Sequence, residues 1–275
     1  MSSLGPFLEE LLATTDTAAR IASDPVRFVH RYDDRDDQQV AAFLAAGLAF
    51  GRVAAFGRVL DEVFSALDQH GGPATASRAL PRGLRGQLAP VVYRWIRGPH
   101  LWVLLGALGD ELSRLDEHQR HGTAREGLGR LVRALRAAVV QRTGVGWAEQ
   151  PRGVRYLLPD PLAGAACKRL CMLHRWMVRP ADGIDLGLWT RDPSTLVIPV
   201  DTHVQRIARF VGLTDRRDAS WRTAEEITAA LRRIDPDDPV RFDFALAHLG
   251  ISGDCRGARH PEACPRCPLE RVCRA

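Results

Sequence analysis

Apolar residues recur at helical spacing along most of the chain, and stretches rich in glycine, proline or charge separate them. Val40, Phe43, Leu44 and Leu48 stand at positions i, i+3, i+4 and i+8, as on the buried face of a helix. No run alternates between apolar and polar residues in the way that a half-buried strand does. The pattern predicts an all-α protein with helices over residues 4–12, 24–31, 91–97, 99–115, 123–141, 162–178, 201–211, 223–234 and 240–249. It also predicts a pair of helices within residues 38–67, and a loop with one short helix over 78–90.

Three of these helix starts carry a capping signal. Asp24-Pro25 places a cap before a proline at the first helical position. Thr223-Ala-Glu-Glu226 has the spacing of a capping box. Asp201 precedes a strongly periodic segment, and an aspartate cap there is worth about 1 kcal/mol.

The length of 275 residues suits one large domain or two helical lobes. The longest nearly apolar run, Val40 to Phe50, is about half a membrane span. The N-terminus places Glu9 and Glu10 between leucines, which indicates an amphipathic helix and not a signal peptide. We therefore expect a cytoplasmic protein, without a membrane partner and monomeric. Its net charge of +5 is too small to identify a partner.

The cysteines cluster at the C-terminus. Four of the six lie in the last 21 residues with the spacing Cys-x8-Cys-x2-Cys-x5-Cys. Clustered cysteines in a reducing compartment are more often metal ligands than disulfides. Four thiolates can hold Zn²⁺ or a [4Fe-4S] cluster, and the single Cys-x2-Cys knuckle favours the iron-sulfur cluster over zinc. The predicted ligands are Cys255, Cys264, Cys267 and Cys273.

Arginine replaces lysine almost everywhere in this chain. Of 38 basic residues only one, Lys168, is lysine. A guanidinium does not lose its proton in a protein and cannot act as an amine nucleophile. Lys168 is therefore a candidate for chemistry that arginine cannot perform, the alternative being a chance survivor on a helix surface. On the same predicted helix, Cys167, Cys171 and His174 share one face, and we interpret them as core residues more readily than as a second metal site.

Several motifs resemble those of the helix-hairpin-helix base-excision DNA glycosylases, the endonuclease III-like superfamily with an iron-sulfur loop. The likeness covers most of residues 30–275, is closest from residue 160 onward, and is nearest to a bacterial branch of the superfamily. The motifs are Val200-Asp201-Thr-His203-Val204, the terminal cysteine loop, and the segments 167–179, 187–189, 198–209 and 242–246.

The resemblance implies two helical lobes with the active site between them. One lobe would comprise residues 33–180, and the other would combine residues 1–32 with 186–275, including a [4Fe-4S] loop at 255–273. In bifunctional members a lysine attacks the sugar C1′, and an aspartate stabilises the charge that develops on the sugar. The matching residues here are Lys168 and Asp201. The implied activity is excision of an oxidised base, with 8-oxoguanine the first expectation, from double-stranded DNA, followed by AP lyase cleavage.

This sequence departs from the superfamily pattern in two places. Most relatives carry a Leu-Pro-Gly-Val-Gly-type hairpin that donates backbone N–H groups to a DNA phosphate, whereas this chain has Leu158-Pro-Asp-Pro-Leu-Ala-Gly164. Asp160 is a poor neighbour for phosphate and Pro161 lacks a donor. The separation of 33 residues between Lys168 and Asp201 is also long, and it resembles the archaeal 8-oxoguanine DNA glycosylase branch. Two alternatives therefore stay open: a monofunctional glycosylase in which Asp201 activates water, and a non-catalytic iron-sulfur protein that binds DNA.

Recognition of the damaged base requires a pocket that stacks on the base and hydrogen-bonds to its edge. Two sets of side chains are candidates from their types and positions. The predicted pocket residues are Gln38, Gln39, Trp176 and Trp189, and the predicted DNA-binding residues are Arg175, Arg179, His203 and Arg206.

Overall fold

The computed structural model describes residues 4–275 and confirms the all-α class, with 62% of the chain helical and 2% in strands. Seven short 3-10 helices, among them Pro25–Arg31, Pro161–Ala163, Cys264–Arg266 and Glu270–Val272, supplement the α-helices. The α-helices are α1 (Gly5–Thr14), α2 (Thr17–Ile21), α3 (Arg35–Leu48), α4 (Val53–Asp68), α5 (Pro73–Ala79), α6 (Arg82–Leu88), α7 (Gly98–Glu111), α8 (Leu115–Gln119), α9 (Ala124–Thr143), α10 (Arg152–Leu157), α11 (Lys168–Val178), α12 (Thr202–Phe210), α13 (Trp221–Arg232) and α14 (Asp243–Ile251).

The helix predicted over residues 91–97 is wrong, because this segment forms a β-hairpin. Strand β1 (Val92–Tyr93) pairs antiparallel with β2 (Ile96–Arg97), and Arg94 in the turn has a left-handed φ of 53°. The Tyr93 hydroxyl donates to the Phe50 carbonyl, and the two rings lie 4.8 Å apart. A short apolar and aromatic run is compatible with either a helix or a strand. Here its contacts with the end of α3 favour the strands.

Two predicted helix starts are also displaced. Helix α11 begins at Lys168 instead of residue 162, because Gly164 and Cys167 have φ angles of 92° and 48° and interrupt the helical path. Helix α13 begins at Trp221, and its cap is Ser220, whose hydroxyl accepts from the Thr223 amide. Thr223 is therefore not the capping residue predicted from the capping-box spacing.

Helix α3 lies at the centre of the molecule. All of its residues from Gln39 to Leu48 are buried, and it packs against α11, α5 and the 3-10 helix Pro25–Arg31. The buried apolar side chains form one contiguous cluster that extends from Leu8 to Leu269. None of the helices in residues 4–275 combines the length and apolar character needed to cross a membrane.

Candidate active site

Lys168 and Asp201 face each other across an open cleft. The distance between Lys168 Nζ and Asp201 Oδ2 is 3.7 Å, and 28% and 24% of the two side chains are exposed. The pair is thus close enough for an electrostatic interaction and accessible to a substrate. The resemblance to the glycosylase superfamily implied this juxtaposition for the two residues.

The local sequence explains where both groups lie. Asp201 caps α12, because its Oδ1 accepts from the amides of His203 at 2.9 Å and Val204 at 3.0 Å. Its other oxygen, Oδ2, remains free to face the amine. Lys168 is the first residue of α11, directly after the left-handed Cys167. Capping and interaction with the lysine are therefore performed by different oxygens of one carboxylate.

The cleft has a volume of about 670 Å³ and is lined from both of the segments predicted to form lobes. Residues 33–180 contribute Phe50, Tyr156 and Lys168, among others. The remaining segments contribute Asp24, Asp201, His203, Asp243 and His248. A volume of this size falls within the roughly 300–1,000 Å³ typical of small-molecule pockets.

A buried carboxyl group, Asp243, lines the cleft close to the pair. It accepts a hydrogen bond from Arg175 through Oδ2, whereas Oδ1 is buried and has no hydrogen-bond partner within residues 4–275. Burial raises the pKa of Asp243 to about 6; the Asp201 carboxylate raises it too, and Arg175 and Lys168 oppose the shift. Asp243 was not predicted as a site residue, although it stands in the Phe242-Asp-Phe motif.

The structure contradicts the prediction that Arg175 and Arg179 contact DNA. Both are buried: Arg175 pairs with Asp185 and Asp243, and Arg179 pairs with Asp182, Asp185 and Asp238. Both arginines are at helical spacing from Lys168, on a side of α11 that becomes buried towards the end of the helix. Both guanidinium groups are thus already neutralised by carboxylates.

The four predicted pocket residues do not gather around Lys168. Gln38 and Gln39 lie at the start of α3, far from the end that borders the cleft, and donate to the Tyr32 carbonyl and to Asp36. Trp189 donates its Nε1 to Gln39 at 2.7 Å, also away from the cleft. Trp176 borders the cleft but its side chain is fully buried. The corrected interpretation is that these groups stabilise the core.

The two other predicted DNA contacts have different surroundings. His203 is half-buried, lines the cleft and packs against Gly250, where an added Cβ would lie 2.6 Å from His203 Cβ. Arg206 lies against the cysteine loop, where its guanidinium is next to Gly257 and approaches the Cys255 carbonyl at 3.4 Å. His203 thus borders the candidate site, whereas Arg206 links α12 to the loop.

Three backbone amides of the hairpin before Lys168 are engaged within the hairpin and are not offered to an anion. The Leu162 amide donates to the Asp160 carboxylate at 2.9 Å, and the amides of Ala163 and Gly164 donate to the carbonyls of Asp160 and Pro161. Asp160 also lies 3.5 Å from Arg136. The carboxylate of Asp160 therefore occupies the place that an anion would take at this turn.

The four C-terminal cysteines lie near one another in a loop closed by the 3-10 helices Cys264–Arg266 and Glu270–Val272. All four are half-buried. Burial raises the pKa of the Cys267 thiol, and the other three thiols contribute to the rise, which places them within electrostatic reach of it. Across residues 4–275, no three His, Cys, Asp or Glu side chains are close enough to form a metal site as they stand. The four thiols therefore belong to one loop but do not stand at the distances of a ligand set.

Aromatic and arginine side chains beside Lys168 were missed by the sequence analysis. Arg169 donates to the carbonyls of Gly47 and Tyr156 and lies over the Tyr156 ring at 3.9 Å. Phe50 packs on Tyr156 at 4.9 Å and borders the cleft. The only signal in the sequence is the position of Arg169 next to the lone lysine.

A family of proteins of unknown function, DUF2400, matches residues 24–252. Comparisons with curated proteins and with solved structures give no match. The matched range includes Lys168, Asp201 and Asp243 and ends before Cys255, so it does not bear on the cysteine loop. Because the match covers most of the chain, the protein belongs to the DUF2400 family.

Proposed function

We propose that this protein is a DNA glycosylase with AP lyase activity that removes an oxidised base, 8-oxoguanine being the first to test, from double-stranded DNA. The observation that carries the proposal is the 3.7 Å approach of the only lysine amine to Asp201 in an open cleft. An amine nucleophile needs a neighbouring group that can assist its deprotonation and stabilise charge in the substrate. Asp201 Oδ2 is available for both tasks.

The chemistry needs only these two side chains and water. The neutral amine of Lys168 attacks C1′, the bond between C1′ and the base breaks, and the base leaves with the bonding electrons and takes up a proton. Asp201 stabilises the positive charge on the sugar while this bond breaks. Ring opening then gives a Schiff base between Lys168 and C1′, and loss of a C2′ proton expels the 3′ phosphate. Hydrolysis of the Schiff base releases the lysine.

The cleft fits an extruded nucleotide. An enzyme that acts on a base in duplex DNA must rotate the nucleotide out of the stack into a pocket. The cleft is lined by the apolar or aromatic side chains of Phe50, Tyr156 and Phe244 together with the polar groups of Asp243 and His203. Such a mixture supports stacking on a base and hydrogen bonding to its edge.

We propose that the cysteine loop holds a [4Fe-4S] cluster. Its donor set would be the thiols of Cys255, Cys264, Cys267 and Cys273, and a backbone amide already points at one of the sulfurs. The His260 amide donates to Cys264 Sγ at 3.2 Å. Hydrogen bonds to cysteine sulfur are typical of iron-sulfur ligand loops. Zn²⁺ is the alternative occupant, and the cluster would serve to hold the loop against α12 and not to react.

Borohydride trapping tests the assignment of Lys168. Wild-type protein mixed with a duplex containing 8-oxoguanine or an abasic site should give a covalent protein–DNA adduct. Lys168→Arg should give none, because arginine preserves the charge opposite Asp201 but cannot form a Schiff base. Equal trapping by the two proteins would refute the role of Lys168.

The same assay separates the alternative functions. Base release without strand cleavage or trapping would indicate a monofunctional glycosylase in which Asp201 activates water. Tight DNA binding with neither activity across a panel of lesions would indicate a non-catalytic DNA-binding protein.

Iron and acid-labile sulfide analysis tests the cofactor. Anaerobically purified protein should contain both elements and absorb broadly in the visible range, and Cys267→Ser should lose them. Stoichiometric zinc without iron would indicate a structural zinc site in place of the cluster.

A further inference from the structure

Three segments that line the cleft or pack against its lining contain no Asp or Glu, namely residues 38–60, 69–109 and 150–159. Within them lie the loop between α3 and α4, the β1–β2 hairpin and helix α10. Their arginines form what we call the arginine face, consisting of Arg52, Arg94, Arg97, Arg152 and Arg155. All five are exposed.

Aromatic contacts join these segments into one surface. The Arg152 guanidinium lies 4.4 Å from the centre of the Trp95 ring, which links α10 to the hairpin. Phe50 stacks on Trp95 at 5.4 Å, which links the hairpin to the loop after α3. Gly51 leaves room for Arg94, because a Cβ at Gly51 would lie 2.9 Å from the Arg94 guanidinium. Arg94 and Arg152 thus lie on the same surface as Phe50, which lines the cleft.

The charge of this surface is not neutralised within the protein. Arg52, Arg94 and Arg155 donate no side-chain hydrogen bond and form no ion pair with any residue in the range 4–275. Arg52 lines the Lys168 cleft, and Arg152 and Arg155 line an adjoining depression that Lys168 also borders. Several uncompensated cations held near each other repel, and a polyanion that binds across them removes that repulsion.

We propose that the arginine face binds backbone phosphates of duplex DNA on either side of the nucleotide in the cleft. The hairpin at residues 158–164 is poorly suited to this task, because the amides of Leu162, Ala163 and Gly164 are occupied internally and the Asp160 carboxylate lies at the turn. Arginine matches phosphate with paired donors, and such contacts set the register of a protein on the duplex. This inference rests on the proposed function, because it takes DNA as the ligand of the cleft.

Salt-dependent binding measures the contribution of the face. We choose the double variant Arg94→Gln/Arg155→Gln, whose side chains hold nothing else in place, and a fluorescent undamaged duplex read by anisotropy. Each lost phosphate contact flattens the plot of log K against log salt by about 0.9. The double variant should therefore flatten it by about 1 to 2 and weaken binding roughly tenfold near physiological salt. Arg52→Gln should give about half of this effect, as an independent variant.

The matched control is Arg35→Gln/Arg233→Gln, which removes the same charge elsewhere. Arg35 is exposed at the start of α3, about 20 Å from the end that borders the cleft. Arg233 is exposed just after α13, about 18 Å from the contact of Trp221 with Gly164. The control should bind as wild type does. Equal loss in both doubles, or loss in neither, overturns the proposal.

Three further outcomes are each decisive for one proposal or the other. If the arginine variants lose binding to anionic lipid vesicles and not to DNA, the face serves another ligand and the proposal fails. The binding assay uses an undamaged duplex and therefore does not depend on the reaction. Absence of borohydride trapping in the separate trapping assay would refute only the proposed reaction. Normal trapping with unchanged salt dependence refutes only the docking face.

Discussion

The two ends of helix α11 use basic side chains in opposite ways. At its start, Lys168 is partly exposed in the cleft and faces one carboxylate. Near its end, Arg175 and Arg179 are buried and are shared among four carboxylates, those of Asp182, Asp185, Asp238 and Asp243. The first end has a charge that a substrate can reach, whereas the second holds the surrounding segments together.

This difference shows that helical spacing alone does not identify a binding face. Arg175 follows Lys168 by seven residues and lies on the same side of the helix, yet the protein closes over it. The number of carboxylates around each cation separates the two roles, and that number depends on Asp185, Asp238 and Asp243, which come from other segments. Asp243 belongs to both regions, because it pairs with Arg175 and lines the cleft.

The largest expected effect is on the buried end. Arg175→Met should destabilise the protein by about 3–5 kcal/mol, because it removes a charge that two buried carboxylates require. Urea unfolding at neutral pH measures this free energy. A loss below about 1 kcal/mol would mean that the buried ion pairs contribute little net stability. The proposed difference between the two ends of α11 would then be wrong.

The next effect separates the two oxygens of Asp201. Asp201→Asn should lower single-turnover cleavage by roughly 100-fold or more, since it removes the charge that faces Lys168. Its stability should stay within about 0.5 kcal/mol of wild type, because asparagine also caps helices. Asp201→Ala should lose the activity and also about 1 kcal/mol of stability. Wild-type cleavage by Asp201→Asn would exclude Asp201 from the reaction.

A third prediction concerns His174, also on α11, whose Nε2 donates to Gln119 Oε1 at 2.8 Å. Burial, aided by Arg191, lowers the pKa of His174 from 6.5 to about 3. Between these values the unfolded chain binds a proton that the folded protein does not, so stability falls as the pH drops below about 6.5.

His174→Gln should remove that dependence. Relative to this variant, wild type should lose about 2 kcal/mol of unfolding free energy between about pH 7 and pH 5. Asp243 has the opposite sign: its pKa is raised to about 6, so its contribution is lost as pH rises through this range. It is common to both proteins and cancels in the difference. Parallel pH profiles would show that His174 titrates normally.

The smallest effect sharpens the contrast with the exposed cations. Arg94→Gln/Arg155→Gln should change the unfolding free energy by no more than about 0.5 kcal/mol, as is usual for surface positions. Thermal or urea unfolding beside Arg175→Met checks it. A loss as large as that of Arg175→Met would assign these arginines to the fold.

The sequence predicted local features better than those that depend on distant segments. The cap at Asp201 and the helix after it are confirmed, because both depend on neighbouring residues. The hairpin at residues 92–97 was missed because Phe50, distant in sequence, stabilises it. The cleft-lining position of Asp243 was missed for a similar reason, since a lone aspartate in an apolar helix gives no sign of which side chains will surround it.

The near absence of lysine also makes the candidate site unusually easy to observe. Lys168 carries the only side-chain amine of the chain, and it is accessible at the cleft. An amine-directed acylating reagent would therefore place its single side-chain label at this position, without mutagenesis. Mass spectrometry of the peptide that spans residue 168 could then follow ligand occupancy of the cleft by loss of labelling, whatever the ligand proves to be.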